Sequence, residues 1–150
     1  MKQRLLVVGR GDSELADYEK RFMHRICSFT PFEVIELQAG KEKRIEQRRQ
    51  QEGVRIRKRC QERTMVLFDE RGRRMTSQHW ASFLRDQPGS AEIDYVIGGA
   101  GGVEDNLRNS AAQCWQLSAL TLPHQLVRTL VLEQLYRAQT ILAGHPYHRE

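Results

Sequence analysis

Residues 117–136 read LSALTLPHQLVRTLVLEQLY, and their reading decides the fold. A short polar–apolar run stops at Pro123, and a long amphipathic helix begins there. Proline suits a first helical turn because the N–H it lacks would find no partner anyway. The amides around such a start are unpaired donors, and the helix dipole makes that end positive. A loop ending in this way can hold a ligand with backbone groups alone. The helical spacing predicts a helix from 123 to about 143. Leu126, Val127, Leu130, Gln134, Leu135, Ala138, Ile141 and Leu142 fall along its expected inner face.

Upstream of this stretch, short apolar runs alternate with amphipathic ones. Leu5 to Val8, Phe32 to Leu37, Thr64 to Phe68, Ile93 to Ile97 and Trp115 to Leu120 read as strands. Between them, helices are expected from Ser13, as a cap, to about Cys27, within 41–63, from Ser77, and from Glu104 to about Gln113. The third strand is expected to stop at Asp69-Glu70-Arg71-Gly72, a turn sequence. Such β-α alternation predicts an α/β fold, a mostly parallel sheet with helices on both faces, in one domain spanning 1–150. Ligands of such sheets sit at the carboxyl ends of the strands. The loops after Phe68, Ile97 and Leu117 are therefore expected to converge on one site.

The chain carries a net charge of +5, and the charge is uneven. Residues 41–63 hold ten Lys and Arg against four Glu, so the rest of the chain is close to neutral. Ten cations exceed what internal Glu–Arg pairing absorbs, which points to a polyanionic partner, nucleic acid first. Arg57, Lys58 and Arg59 are the candidate phosphate contacts. Cys27, Cys60 and Cys114 fit neither a zinc spacing nor a disulfide framework, so no metal and reduced thiols are expected. No apolar run approaches the roughly 20 residues of a membrane span, and the start MKQRLLVVGRG is too short in apolar residues for a signal peptide. A cytoplasmic protein with no membrane partner is expected.

Three further features carry chemistry. Gly98-Gly99-Ala100-Gly101-Gly102 is neither a dinucleotide fingerprint nor a P-loop, and reads either as a tight strand-to-helix turn or as a ligand-contacting loop. His124 falls in the first turn of the last helix, where the dipole disfavours its protonation; a solvated surface histidine is the alternative. The tail Pro146-Tyr147-His148-Arg149-Glu150 joins an aromatic, an imidazole and a guanidinium, groups suited to stacking on a base and holding a phosphate. No triad, metal cluster or paired-carboxylate signature stands out, so an enzyme here would position a reactive cofactor against its substrate.

LSALTLPHQLVR, then EQLYRA, then the ending HPYHRE, closely resemble the bacterial RlmH family, and FEVIELQAGK, LFDERG and YVIGGAGG fall in that family's order and spacing. These are SPOUT-superfamily enzymes that methylate N3 of a pseudouridine in 23S ribosomal RNA. The resemblance implies a carboxy-terminal trefoil knot, S-adenosylmethionine as cofactor, and a homodimer acting on the large subunit or the 70S ribosome. The implied cofactor pocket is Phe68, Asp69, Gly99, Ser118, Ala119, Leu120, Thr121, Leu122 and Pro123. The tail of one subunit is implied to complete the other's active site. Arg137 and Arg149 are then candidates for ring-carbonyl charge or phosphates, His124 and His148 for the proton, and Tyr147 for stacking or hydrogen bonding. Where the family reads G-G-P-E-G-L, this chain reads Gly98-Gly99-Ala100-Gly101-Gly102-Val103, without the proline and the acid. A non-catalytic ribosome-associated RNA-binding factor is the alternative reading. A nucleotide-binding protein acting on a small molecule is a third, which the basic segment disfavours.

Overall fold

The computed structural model describes residues 1–149, and Glu150 at the end of the tail lies outside the described residues. The strands are β1 (Lys2–Val8), β2 (Phe32–Leu37), β3 (Thr64–Arg74), β4 (Glu92–Ile97) and β5 (Gln113–Gln116). The helices are α1 (Ala16–Cys27), α2 (Ile45–Cys60), α3 (Ser77–Arg85), α4 (Asp105–Ser110) and α5 (His124–Ala143). The strands form one sheet in the order β2-β1-β4-β3-β5, and every pairing is parallel. β1, β3 and β4 carry nearly continuous apolar runs, as strands covered on both faces must.

Side chains alternate between the two faces with the period of a strand. Leu5, Val7, Val66, Phe68, Ile93, Tyr95 and Ile97 pack with α1, α3 and α5. Leu6, Val8, Met65, Leu67 and Val96 pack with α2 and α4. On the first face, Trp80 Nε1 donates to the buried Tyr95 hydroxyl at 3.1 Å, which donates to Gln3 Oε1 at 2.7 Å. No helix among the described residues is long and apolar enough to cross a membrane.

Several boundaries differ from the sequence expectation. β3 does not stop at residue 69. It bulges between Phe68 and Arg73 and resumes pairing with Trp115 and Gln116. A Cβ at Gly72 would collide with the Trp115 backbone, so the expected turn glycine instead permits close approach of two strands. β5 begins and ends earlier than expected, and 117–123 is loop. α4 spans only 105–110. Asp12, not Ser13, caps a 3₁₀ turn over Ser13–Leu15, and α1 follows it. Pro123 sits at the N-cap of α5 rather than inside its first turn.

The inner face of α5 is also rotated from the one expected. Arg128, Thr129, Val131, Leu132, Leu135, Tyr136, Ala138, Gln139 and Thr140 are buried, whereas Leu126, Leu130 and Ile141 are half-covered and Leu142 is 39% exposed. Apolar residues ring this helix, so spacing alone could not select the buried side.

Candidate active site

Three segments meet at the carboxyl end of the sheet. They are the end of β3 with Phe68, Asp69 and Glu70, the glycine loop 98–103, and the loop 117–122 leading into α5. They enclose a cleft of about 460 Å³, inside the range of small-molecule sites. Phe68, Ile97, Leu117, Leu122 and Val127 supply apolar wall. Within the glycine loop, Gly102 N–H donates to Gly99 C=O at 2.9 Å, closing a tight turn, and Gly102 adopts φ +88°. The loop is thus a strand-to-helix turn that also forms a wall of the cleft.

Of the residues expected to form a cofactor pocket, Phe68, Asp69, Gly99, Ser118, Leu120, Thr121 and Leu122 line this cleft. Ala119 and Pro123 do not; both are exposed on the outer side of the loop. Ser118 Oγ accepts from the Leu120 amide at 3.0 Å, which shapes the loop and leaves the Leu120 side chain 75% exposed. Asp69 Oδ2 accepts from Arg108 Nε at 2.8 Å and from the Arg71 amide at 3.2 Å. Burial and the neighbouring Asp69 charge raise the Cys114 thiol pKa, which keeps that free cysteine protonated.

His124 lines the cleft and is not a solvated histidine: one ring nitrogen is tied to the sheet, and Nδ1 is the nitrogen left to take a proton. Its Nε2 lies 2.9 Å from the Val8 carbonyl, which can only accept, so Nε2 carries the proton. The bond ties the start of α5 to the end of β1. One turn further along, the buried Arg128 pairs with Glu19 at 3.1 Å and Glu36 at 2.7 Å. Composition gave no sign of this ion-pair group.

The tail folds back onto α5 of its own chain. Tyr147 OH donates to Glu133 Oε1 at 2.9 Å, and its ring meets Tyr136 edge-on at 4.7 Å. The Arg137 guanidinium lies 4.8 Å over that ring and also bonds Glu133. Arg137 Nη1 stands 3.1 Å from His148 Nδ1; since arginine only donates, His148 Nδ1 accepts, and Nε2 carries the proton. That Nε2 is buried without a hydrogen-bond partner. Burial and Glu133 push the Tyr147 hydroxyl up to about 12, so it remains a donor. Tyr147, His148 and Arg137 are therefore together, whereas His124 stands at the start of α5. Nine to thirteen residues of helix, from His124 to Glu133 and Arg137, roughly 14–20 Å, separate them. Arg149 is exposed.

The expected phosphate-binding trio divides. Arg57 bonds Glu104 at 2.5 Å and so holds α2 to the start of α4. Lys58 and Arg59 are exposed beside a cleft of about 810 Å³ at the amino ends of β1, β3 and β4. This larger cleft is on the wrong side of a parallel sheet for a ligand site. Two of its cations, Arg4 and Arg63, are spent on the fully buried Asp94, at 2.7 Å each. Near the glycine loop stand different cations that the sequence reading had not singled out. Arg49 Nε donates to Gly101 C=O at 2.6 Å, and Arg48 lies beside it. Among the described residues, no group of three or more His, Cys, Asp or Glu could hold a metal ion.

A family model described as "Predicted SPOUT methyltransferase" matches residues 1–148, so the chain belongs to the SPOUT methyltransferase family. The relatives it matches carry the name ribosomal RNA large subunit methyltransferase H. The protein from Geobacter sp. (strain M21) is 39% identical over 155 residues, covering both chains completely. The one from Polynucleobacter asymbioticus is 49% identical over 87 residues, 57% of this chain and 59% of that relative. Among solved structures, a probable methylase family protein from Haemophilus influenzae Rd KW20 superposes with a TM-score of 0.60. That match covers 99% of this chain and 70% of that one at 12% identity, and so speaks for the fold alone.

Proposed function

We propose that this protein is an S-adenosylmethionine-dependent methyltransferase that modifies N3 of a pseudouridine in 23S ribosomal RNA, in the cytoplasm and on the large subunit or 70S ribosome. One observation carries the reading: a SPOUT-family chain whose β3 end, glycine turn and 117–122 loop enclose a small-molecule cleft. Relatives similar along their whole length bear the name of a large-subunit rRNA methyltransferase.

The residues present fit the cofactor. Phe68, Ile97, Leu122 and Val127 offer apolar wall for a purine and its ribose, and the Cβ-free glycine turn lets backbone groups approach closely. Asp69 and Glu70 put carboxylates beside a ligand whose reactive centre is cationic. When bound, S-adenosylmethionine supplies a methyl group activated by its sulfonium. The chain's own task is to hold the nucleophilic nitrogen in line with it and to exclude water. A trefoil knot formed by threading 117–149 past the glycine loop would hold these two loops together.

The enzyme is a homodimer in this reading. The tail packs on Glu133 and Arg137, roughly 14–20 Å along α5 from His124 at its own cleft, the outer side of α5 keeps Leu126, Leu130, Ile141 and Leu142 partly uncovered, and His148 Nε2–H is buried without an acceptor. A two-fold packing of α5 on α5 would cover those leucines and carry each tail to the other subunit's cleft. There His148 Nε2–H and Arg137 act as donors to a ring carbonyl that gains negative charge, and Tyr147 stacks on the base. In this geometry His148 takes a proton only at Nδ1, after Arg137 has moved away. Arg149, Lys58 and Arg59 contact phosphates.

The test is nucleoside mapping by mass spectrometry of rRNA from cells with and without the gene, together with titration of the protein by S-adenosylmethionine. A single methylated pseudouridine lost in the deletion strain, with micromolar cofactor binding, is expected. No cofactor binding would instead favour a non-catalytic RNA-binding factor, the reading that the missing loop proline and acid at Ala100 and Gly101 would suit.

A further inference from the structure

Around the cleft, most cations already have a carboxylate. Arg108 is held by Asp69 and Asp105, Arg57 by Glu104, and Arg128 by Glu19 and Glu36. Arg48 and Arg49 are different. Among the described residues, neither comes within ion-pair distance of any carboxylate. Of the two acids that flank them in α2, Glu52 is buried and accepts from the Gly40 amide at 2.8 Å, and Glu46 is exposed and pairs with neither.

Both arginines are nevertheless held in place. The stem of Arg48 crosses Gly40, its Cγ 2.7 Å from where a Cβ would stand. Arg49 spends Nε on Gly101 C=O, which leaves the Nη groups of a fixed fork free to donate. A side chain at Gly101 would start 3.7 Å from Arg48 Nη2, so an acid there would pair with Arg48; glycine leaves both cations uncompensated.

Arg49 forms part of the wall shared by the cofactor cleft and a neighbouring cleft of about 390 Å³. Arg48 lines neither; its stem lies on Gly40 and its Nη2 near Gly101, and Lys41, Lys43 and Arg44 at the same end of α2 are exposed. The charge therefore leads away from the cofactor's position along the surface, which suits a chain of phosphates better than a single carboxylate.

We propose that Arg48 and Arg49 clamp the RNA backbone at the mouth of the cleft, on phosphates adjoining the target nucleotide. They are positioning residues for the substrate, and the proposal rests on the rRNA methyltransferase reading above. Each cation on a phosphate releases counterions, so the pair shapes both affinity and salt dependence.

The experiment uses the intact protein and large subunits from cells lacking it. In Arg48→Gln/Arg49→Gln, KM for the subunit rises about ten-fold while kcat stays within about two-fold, the pattern of lost ground-state binding. The slope of log KM against log salt falls by about 1.5, two phosphates at roughly 0.7–0.9 each. In Arg48→Gln alone, a residue that lines neither cleft, KM rises and the slope falls by about half as much while the cofactor dissociation constant is unchanged, and Arg49→Lys with Arg48 intact keeps most of the wild-type slope. An unchanged KM and slope in the double variant overturns the proposal. So does a loss of cofactor affinity in Arg48→Gln, since that residue would then serve the glycine turn. Fluorescence anisotropy with large-subunit RNA separates this proposal from the reading beneath it. Wild-type binding with the steep slope but no methyl transfer refutes that reading. Methyl transfer with equal slopes in wild type and variant refutes the clamp.

Discussion

His124 Nε2 donates to the Val8 carbonyl across 116 residues of sequence, at 2.9 Å. One hydrogen bond thereby joins the start of the last helix to the end of the first strand, beside the cleft. His124→Ala removes that bond and leaves the Val8 carbonyl unpaired, at a cost of about 1–3 kcal/mol. Lower thermal stability and weaker cofactor binding are expected, with turnover largely kept at saturating cofactor. Calorimetry and steady-state kinetics check this; a collapse of kcat at unchanged stability would mark His124 as the base, acting through Nδ1.

The tail should act between subunits. His148→Ala is expected to lose far more turnover than cofactor affinity, and equal losses in both would refute its role. A stronger test mixes two inactive proteins, one with a blocked cleft and one lacking residues 146–150. Random pairing leaves about a quarter of the sites complete, one in each mixed dimer. Recovery of about that fraction of wild-type activity is expected, and no recovery would show that each tail serves its own chain.

Tyr147 makes a pH prediction. Its hydroxyl is raised from 10 to about 12 by burial and by Glu133, so the folded protein favours the protonated form. Its contribution is complete below pH 10 and is lost as pH rises from 10 through 12. Denaturation across that window should show a decline in stability that Tyr147→Phe reduces. A variant titrating identically to wild type would mean that the hydroxyl has no such role.

Arg57 and its neighbours should behave oppositely. Arg57→Gln breaks the pair with Glu104 and is expected to lower thermal stability with little effect on the salt dependence of RNA binding. Lys58→Gln/Arg59→Gln is expected to leave stability unchanged and lower the salt slope by up to about 1.5. Filter binding across a salt series distinguishes the two, and an unchanged slope in the second variant removes that end of α2 from the RNA path.

Arg128 anchors α5. Arg128→Ala leaves Glu19 buried without its cation, which typically costs about 3–5 kcal/mol. The Arg128 hydrogen bond also holds Glu36 below the usual carboxylate range. A lowered folded pKa means stability present above about pH 4.3 and lost as pH falls below it. Acid denaturation should therefore begin at higher pH in wild type than in a Glu36→Gln variant measured against its own neutral stability. Coincident acid profiles would contradict this.

The local pattern carried far. Alternation in 32–37 and apolar runs at 5–8, 64–68 and 93–97 mark strands, and the intervening spacing marks helices, because periods of two and 3.6 are properties of the backbone itself. Convergence of three loops at the strand ends also followed, since parallel strands put all their carboxyl ends on one side. Boundaries failed where a partner decided them. β3 runs past its turn sequence because Gly72 lets it lie against Trp115, and α5 buries Val131 and Leu132 because α1 and α3 await them there.

What the chain determined alone was the alternation of strand and helix, the charge concentrated in 41–63, and the family-like residues of its last third. Tertiary structure alone decided that β4 lies between β1 and β3, that Arg57 is neutralised while Arg48 and Arg49 are not, and that the tail packs on the middle of α5 rather than in its own cleft. The reason is physical. Backbone periodicity acts over a few residues, whereas pairing of charges and seating of side chains depend on groups tens of residues apart that only folding brings together.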